Sequence, residues 1–205
     1  YGWTIVAICT VTMTLGYGVR HSFGVFFPPI LEEFGWSRTD FTGALTIGTL
    51  LGACISFLFG SIVDRYGGRW ILSVSFSILG LMLLLTSRIT SLWQFYVCQI
   101  IARMVSMGVI MLTLQVIIPK WFIEKRGRAV AFGQVGLTSG NIVLPLYLQV
   151  VMEATDWRMA IMTMGFAVLC LSIPMVLIFI RRIPEDVGLL PDGFKTGVGV
   201  NVGAN

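Results

Sequence analysis

The chain has 205 residues, 56% of them hydrophobic and 12% charged, with a formal net charge of +4 and a mean hydropathy of +0.88. A soluble domain is about a quarter charged and just under half apolar, so these proportions exclude a water-soluble globule and make a bilayer the natural solvent. The basic residues lie in short segments between apolar runs, a pattern of membrane topology and not of a nucleic-acid face.

A spanning helix needs about 20 mostly apolar residues. Six segments qualify, at residues 3–27, 40–63, 70–87, 92–118, 130–152 and 157–180. The first opens without a basic lead-in or a small-residue cleavage site, so it is not a signal peptide. Its start at Tyr1 leads us to expect that a native N-terminal piece is absent. Pro28-Pro29 is expected to end this span. Inside it, "GYGVRHSFGVFF" places Arg20 and the single histidine, His21, in an apolar run. Thr10, Thr14, Tyr17, His21 and Gly24 follow at steps of four, three, four and three, which puts them on one helix face. Arg20 lies about 100° round from His21, at the border of that face. Two readings stand for Arg20: its long stem snorkels to the headgroups, or its guanidinium serves the polar face.

The second span ends in "GSIVDRYGGRWIL", which reads Gly60-x-x-x-Asp64-Arg65-x-Gly67-Gly68-Arg69. Gly67 and Gly68 permit a sharp turn between antiparallel helices. Asp64 can pair with a neighbouring base or sit at a helix N-terminus. "TSRITS" separates the third span from the fourth, where Gln99, Arg103, Ser106 and Thr113 share a face. A mid-bilayer arginine costs about 2.5–3.5 kcal/mol even on the lenient insertion scale. Arg103 therefore has either a task or a structural bond to backbone carbonyls. "PKWFIEKRGR" precedes the fifth span. There Gln134, Thr138, Asn141 and Gln149 share one face, and Gly133, Gly136 and Gly140 lie on the opposite one. The glycines suit close helix packing. The polar stripes of spans one, four and five either line an aqueous cavity or bond across helices. "ATDW" separates the fifth and sixth spans, and residues 181–205 are polar, rich in Gly and Pro, and expected to be a flexible segment.

The segments after spans two, four and six hold nine bases: Arg65, Arg69, Lys120, Lys125, Arg126, Arg128, Arg181, Arg182 and Lys195. The opposite segments hold three: Arg38, Arg88 and Arg158. The richer side is expected to be cytoplasmic, with both ends of this chain on it. Cys9, Cys54, Cys98 and Cys170 fall in apolar runs without metal-ligand spacing and read as small core residues, not disulfides.

The phrase Gly60 to Arg69 resembles the loop signature of the major facilitator superfamily, Gly-x-x-x-Asp-Arg-x-Gly-[Arg/Lys]-[Arg/Lys], and departs from it at Gly68. "SFGVFFPPILEEFGWSR", "PKWFIEKRGRAVAFG", "TDWR" and "RRIPEDVGLLPDG" are similar to its monocarboxylate-carrier and oxalate:formate-antiporter branch. The resemblance implies an all-α membrane protein: the N-terminal six-helix bundle of a twelve-span carrier, with 181–205 as the loop between halves. It implies that Gly60, Asp64, Arg65, Gly67 and Arg69 form a gating loop, that His21 stands where the animal carriers have Lys, and that Arg103 is the fourth-span arginine. The family's Arg-x-x-x-Gly is one residue longer here, from Arg103 to Gly108.

The function these readings imply is secondary active transport of a small organic anion, a monocarboxylate or short dicarboxylate, by proton symport or anion exchange. His21 and Arg103 would bind the anion, with Arg20, Tyr17 and Asn141. The partners are the anion, a proton, membrane lipid, and a C-terminal half or a second copy, in the plasma membrane, with no cofactor, metal or nucleic acid. A truncated or non-transporting sensor is the alternative. An intramembrane enzyme fits least: "GLTSG" puts Leu137 two before Ser139, His21 is the only histidine, and no acidic pair or metal constellation lies at membrane depth.

Overall fold

The computed structural model describes the backbone of residues 2–66, 68–121 and 126–179, and the side chains of 3–57, 68–117 and 127–178. Everything described is helix and short turn. The helices are α1 (Gly2–Phe34), α2 (Arg38–Tyr66), α3 (Gly68–Thr86), α4 (Leu92–Val105), α5 (Met111–Trp121), α6 (Arg126–Ala154), α7 (Trp157–Ala167) and α8 (Ile173–Phe179). A π turn at Ser106–Ile110 joins α4 to α5, and another at Val168–Ser172 joins α7 to α8. The described residues therefore make six rods, in the expected order.

Short polar devices set the ends. Gly35 closes α1 with φ at 65° and donates its N–H to the Leu31 carbonyl at 2.9 Å. That left-handed conformation is open to glycine at little steric cost. Ser37 and Asp40 then form a capping box for α2: the Asp40 N–H donates to Ser37 Oγ at 3.1 Å, and the Ser37 N–H donates to Asp40 Oδ2 at 3.1 Å. Asp156 caps α7 by accepting the Met159 N–H at 2.8 Å.

Among the described residues, five rods are long and apolar enough to cross a membrane, over Arg38–Phe57, Gly68–Thr86, Leu92–Ile117, Gly127–Ala154 and Trp157–Ile178. Helix α1, which carries the expected span 3–27, is not among these five. It is instead enclosed by the others: Ile5, Cys9, Met13, Val19, Phe23, Phe26 and Ile30 are all buried.

Helix α1 also corrects the expectation that Pro28-Pro29 ends it. The helix runs through both prolines to Phe34. Proline lacks the N–H that would bond four residues back, which frees the carbonyl of Gly24, and Gly24 itself stands in open space. Fully buried Ile30 and a Phe34–Trp36 stack at 4.4 Å hold the extension in place. Buried context of this kind is how membrane helices tolerate proline. The expected turn after span two is likewise shorter, since α2 continues to Tyr66 and α3 starts at Gly68.

The tightest packing is between α1 and α6. A Cβ on Gly136 or Gly140 would collide with the carbonyl oxygens of Thr10 and Thr14, and one on Gly18 would stand 2.8 Å from the Gly140 carbonyl. Two glycines four apart let the backbones meet, as small residues do in membrane bundles. Thr14 Oγ1 adds a hydrogen bond to the Gly136 carbonyl at 3.0 Å, and Thr10 Oγ1 one to Phe132 at 3.3 Å. The polar stripe of α1 is thus divided. Thr10 and Thr14 bond across helices, as one of the two readings held, and do not line a cavity.

Of the cysteines, all unbridged, Cys9 and Cys98 are buried as expected. Cys54 and Cys170 are exposed and so are not core residues.

Candidate functional site: a cation cluster between α1 and α4

Glycines decide where Arg103 stands. Gly48 and Gly52 lay α2 directly on α4: a Cβ at Gly48 would be 3.0 Å from Arg103 Cβ, and one at Gly52 would be 3.3 Å from the Arg103 carbonyl. With α2 closing that flank, the guanidinium turns to α1, and Nη2 donates to the main-chain carbonyl of Arg20 at 3.4 Å. Its Nε is buried without a hydrogen bond.

The π turn follows three residues later. Its Met111 N–H bonds the Ser106 carbonyl, five residues back. A π turn carries one residue more than an α turn. The extra residue between Arg103 and Gly108 is absorbed there, and Gly108 still meets α2, its Cβ position 2.8 Å from the Gly52 carbonyl.

On α1, Arg20 is half-buried and His21 is exposed. Among the described residues, the charged groups that bear on His21 are Arg20 and Arg103, both cations. Three basic side chains from two rods thus share one neighbourhood. The Tyr17 hydroxyl is buried beside Arg20 without a hydrogen bond, with exposed Gln115 of α5 close by. Sequence reasoning passed over Gln115 because, two residues beyond Thr113, it lies about 200° round the rod and off the polar stripe. A small cavity of about 10 Å³ is lined by Met13, Tyr17, Arg20, Ser106 and Met111, among others. That is room for one water and not for a carboxylate.

The structure brings Arg20, His21 and Arg103 together, with Tyr17 adjoining. Asn141 is less tightly joined: it follows Gly140, whose carbonyl meets Gly18, but no hydrogen bond links it to the cations, and its Oδ1 is buried without a partner. Gln99 departs from the expected stripe. It is fully buried and donates to Thr86 Oγ1 on α3 at 3.4 Å. Thr113 is also fully buried and bonds its own helix at Val109.

For the expected gating loop, Gly60, Asp64 and Arg65 fall on the last turns of α2, but their side chains, and Gly67 altogether, lie outside the described residues. Arg69 is half-buried in the first turn of α3, with Nε buried and unbonded. Gly68 is buried, and a Cβ there would be 2.7 Å from Ile117 Cδ1. A larger base at this position would have to displace Ile117. The departure at Gly68 is therefore one of α3–α5 packing.

At the opposite end of the bundle, Arg158 Nη2 meets Glu33 Oε1 at 2.6 Å, and the Trp157 indole N–H donates to Glu33 Oε2 at 2.6 Å. Hydrogen bonding from Arg158 holds the Glu33 carboxyl below its ordinary value, against some burial and with help from Trp157. Nη1 of Arg158 also donates to the carbonyls of Ser87 and Ile89, at 3.0 and 3.1 Å. One guanidinium thus ties α1, α7 and the α3–α4 turn. The Arg158 guanidinium lies over the Phe34 ring at 5.7 Å, and Phe34 stacks on Trp36, which with Phe41 packs against Phe95.

Long apolar rods packed through glycine contacts define an all-helical membrane protein. The chain belongs to the Major Facilitator Superfamily, whose family model matches residues 6–199. This is a family of non-enzymatic carriers. It is 28% identical over 149 residues to "Uncharacterized transporter ESBP6" of Saccharomyces cerevisiae, covering 71% of this chain and 22% of that protein. It is 20% identical over 202 residues to human "Monocarboxylate transporter 11", covering 98% of this chain and 43% of that one. Its fold is that of the Escherichia coli xylose transporter XylE in an inward-open conformation, with a TM-score of 0.67 at 16% identity, over 90% of this chain and 49% of that chain. The chain spans less than half the length of these curated relatives.

Proposed function

We propose that this chain forms one six-helix half of a secondary carrier for small organic anions, monocarboxylates or short dicarboxylates, working by alternating access. The observation that carries the reading is the position of Arg103. It lies within an apolar rod, beside Arg20 and His21, and the charges bearing on His21 are both positive. In a low-dielectric setting a cation without an acid attracts an anion far more strongly than it would in water. The kinship with a protein named a monocarboxylate transporter supports the same substrate class.

In this reading His21 and Arg103 bind the carboxylate, Arg20 and Tyr17 border the site, and Asn141 reaches it from α6. A proton on His21 moves with the anion, or a second anion exchanges for it. The second half, or a second copy, packs on the exposed apolar faces of α2 at Leu50 and Phe57, or of α6 at Val135, Ile142, Leu146 and Val150. The segment from Gly60 to Arg69 gates the cytoplasmic side, and both ends of this chain lie there, in the plasma membrane, with 181–205 linking the halves.

The test is uptake of radiolabelled carboxylates into proteoliposomes carrying the full-length protein, with and without an imposed pH gradient. Uptake is expected, lost in Arg103→Leu and shifted in its pH dependence in His21→Lys. Unchanged uptake in both variants would overturn the site.

A further inference from the structure

A second cavity, of about 290 Å³, opens on the outer wall of the bundle between the end of α3 and the start of α4. Leu85, Trp93, Val97 and Cys98 give it apolar walls, and Arg88 stands at its edge. Leu85, Trp93 and Val97 are 47%, 66% and 46% exposed, so the groove faces outward, away from the cation cluster.

The turn that carries Arg88 is held from both sides. Arg158 donates to the carbonyls of Ser87 and Ile89, which flank it. Gln94 Oε1 accepts the Thr90 N–H at 3.0 Å and the Thr90 hydroxyl at 3.2 Å. Ser87 and Ile89 are buried, while Arg88 points out. Among the described residues Arg88 has no acidic partner. This is a cation on a rigid mount, at the rim of an apolar groove, one turn from an exposed tryptophan. Tryptophan favours the depth of lipid headgroups, and a guanidinium matches phosphate geometry with two parallel N–H donors.

We propose that this groove is a binding site for a single phospholipid, with its phosphate on Arg88 and one acyl chain along Leu85, Trp93 and Val97. The headgroup supplies the anion that Arg88 lacks. The apolar walls favour an acyl chain over a free phosphate. Because Glu33 and Arg158 hold the same turn, the lipid would rest on the latch that ties α1 to α7.

The experiment uses the full-length protein in lipid nanodiscs containing a phospholipid with a photoreactive acyl chain. After illumination, labelled peptides are mapped by mass spectrometry. Labelling of the segment 85–98 is expected to exceed severalfold that of the segment 166–178, which exposes Phe166, Leu171 and Ile178. It should fall severalfold in Arg88→Gln, survive in Arg88→Lys, and vanish in Val97→Trp, which fills the groove. Far-UV circular dichroism of each variant confirms that the helices are intact. Labelling no greater than on 166–178, or insensitive to Arg88→Gln, would overturn the proposal. So would equal labelling by a diacylglycerol with the same chains, since that marks a merely apolar patch.

Discussion

The Arg103 guanidinium on α4 reaches the main-chain carbonyl of Arg20 on α1 at 3.4 Å, the residue that immediately precedes His21. The contact is long and uses one of five donors, so it orients the arginine without consuming it. This separates the two roles open to Arg103. As an anion ligand, its replacement by Leu should reduce carboxylate uptake about 10- to 100-fold, the equivalent of a charge-assisted hydrogen bond of about 1.5–3 kcal/mol, and leave the melting temperature nearly unchanged. As a structural staple, the same change would lower the melting temperature with protein yield. Parallel transport and thermal-shift measurements on Arg103→Leu and Arg103→Lys decide between them.

Gly136 and Gly140 make a second prediction, about stability. At both, an added Cβ meets backbone of α1 and not the end of a flexible side chain. The helices must therefore separate to admit even a methyl group. Gly140→Ala should destabilise the bundle by about 1–3 kcal/mol, the usual range for overpacking, and Gly136→Val by more. Gly24→Ala, in open space on the same α1, is the control and should melt with the parent. Thermal unfolding in one detergent, followed by circular dichroism, measures all three.

Much of this was legible in the residues because hydropathy and glycine spacing act locally. Six rods and the close packing at Gly136 and Gly140 follow from hydropathy and glycine spacing. What periodicity cannot say is which neighbour a face meets. Thr10 and Thr14 share a face with His21, yet they meet α6, because the glycines there come close enough to offer carbonyls. Gln99 shares a face with Arg103, yet it points to Thr86 on α3. The link from Glu33 to Arg158 joins residues far apart in the chain. The one sequence clue was that both fall at the same end of their rods. Pro28 and Pro29 misled for a related reason: the local rule against proline gives way where Ile30 and Phe34 have a core to enter.

The Glu33–Arg158 latch predicts a pH dependence of stability. The Glu33 carboxyl titrates below its ordinary value of 4.5 in the folded protein, chiefly through its hydrogen bond from Arg158. A depressed folded value means that the stabilisation is complete above the unfolded value and is lost as pH falls through the folded one. Melting temperature should therefore be level near neutrality and fall below pH 4.5. Both side chains are partly exposed, 32% for Arg158 and 42% for Glu33, so solvent screening holds the effect to about 1 kcal/mol or less. Glu33→Gln should melt lower than the parent at neutral pH and converge with it in acid. A difference that persists unchanged into acid would show that the carboxylate's charge is not what matters.

The π turn at Ser106–Ile110 makes the last prediction. If the extra residue between Arg103 and Gly108 is what the wide turn accommodates, deleting one residue there should convert it to ordinary α-helix. Arg103 would keep its place against Gly48, and the glycine would keep its contact with Gly52. Deleting Met107 should therefore be tolerated, with a monodisperse elution profile and a melting temperature within a few degrees of the parent. Deleting Leu112, within regular α5, rotates every later residue of that rod by about 100° and carries buried Leu114 and Ile117 off the core. That variant should fail to fold. The transport assay then reads what the π turn does beyond register, since such turns concentrate at functional sites. A folded Met107 deletion that has lost uptake would place the turn in the carrier's working motion. A deletion as disruptive as that of Leu112 would refute the register argument.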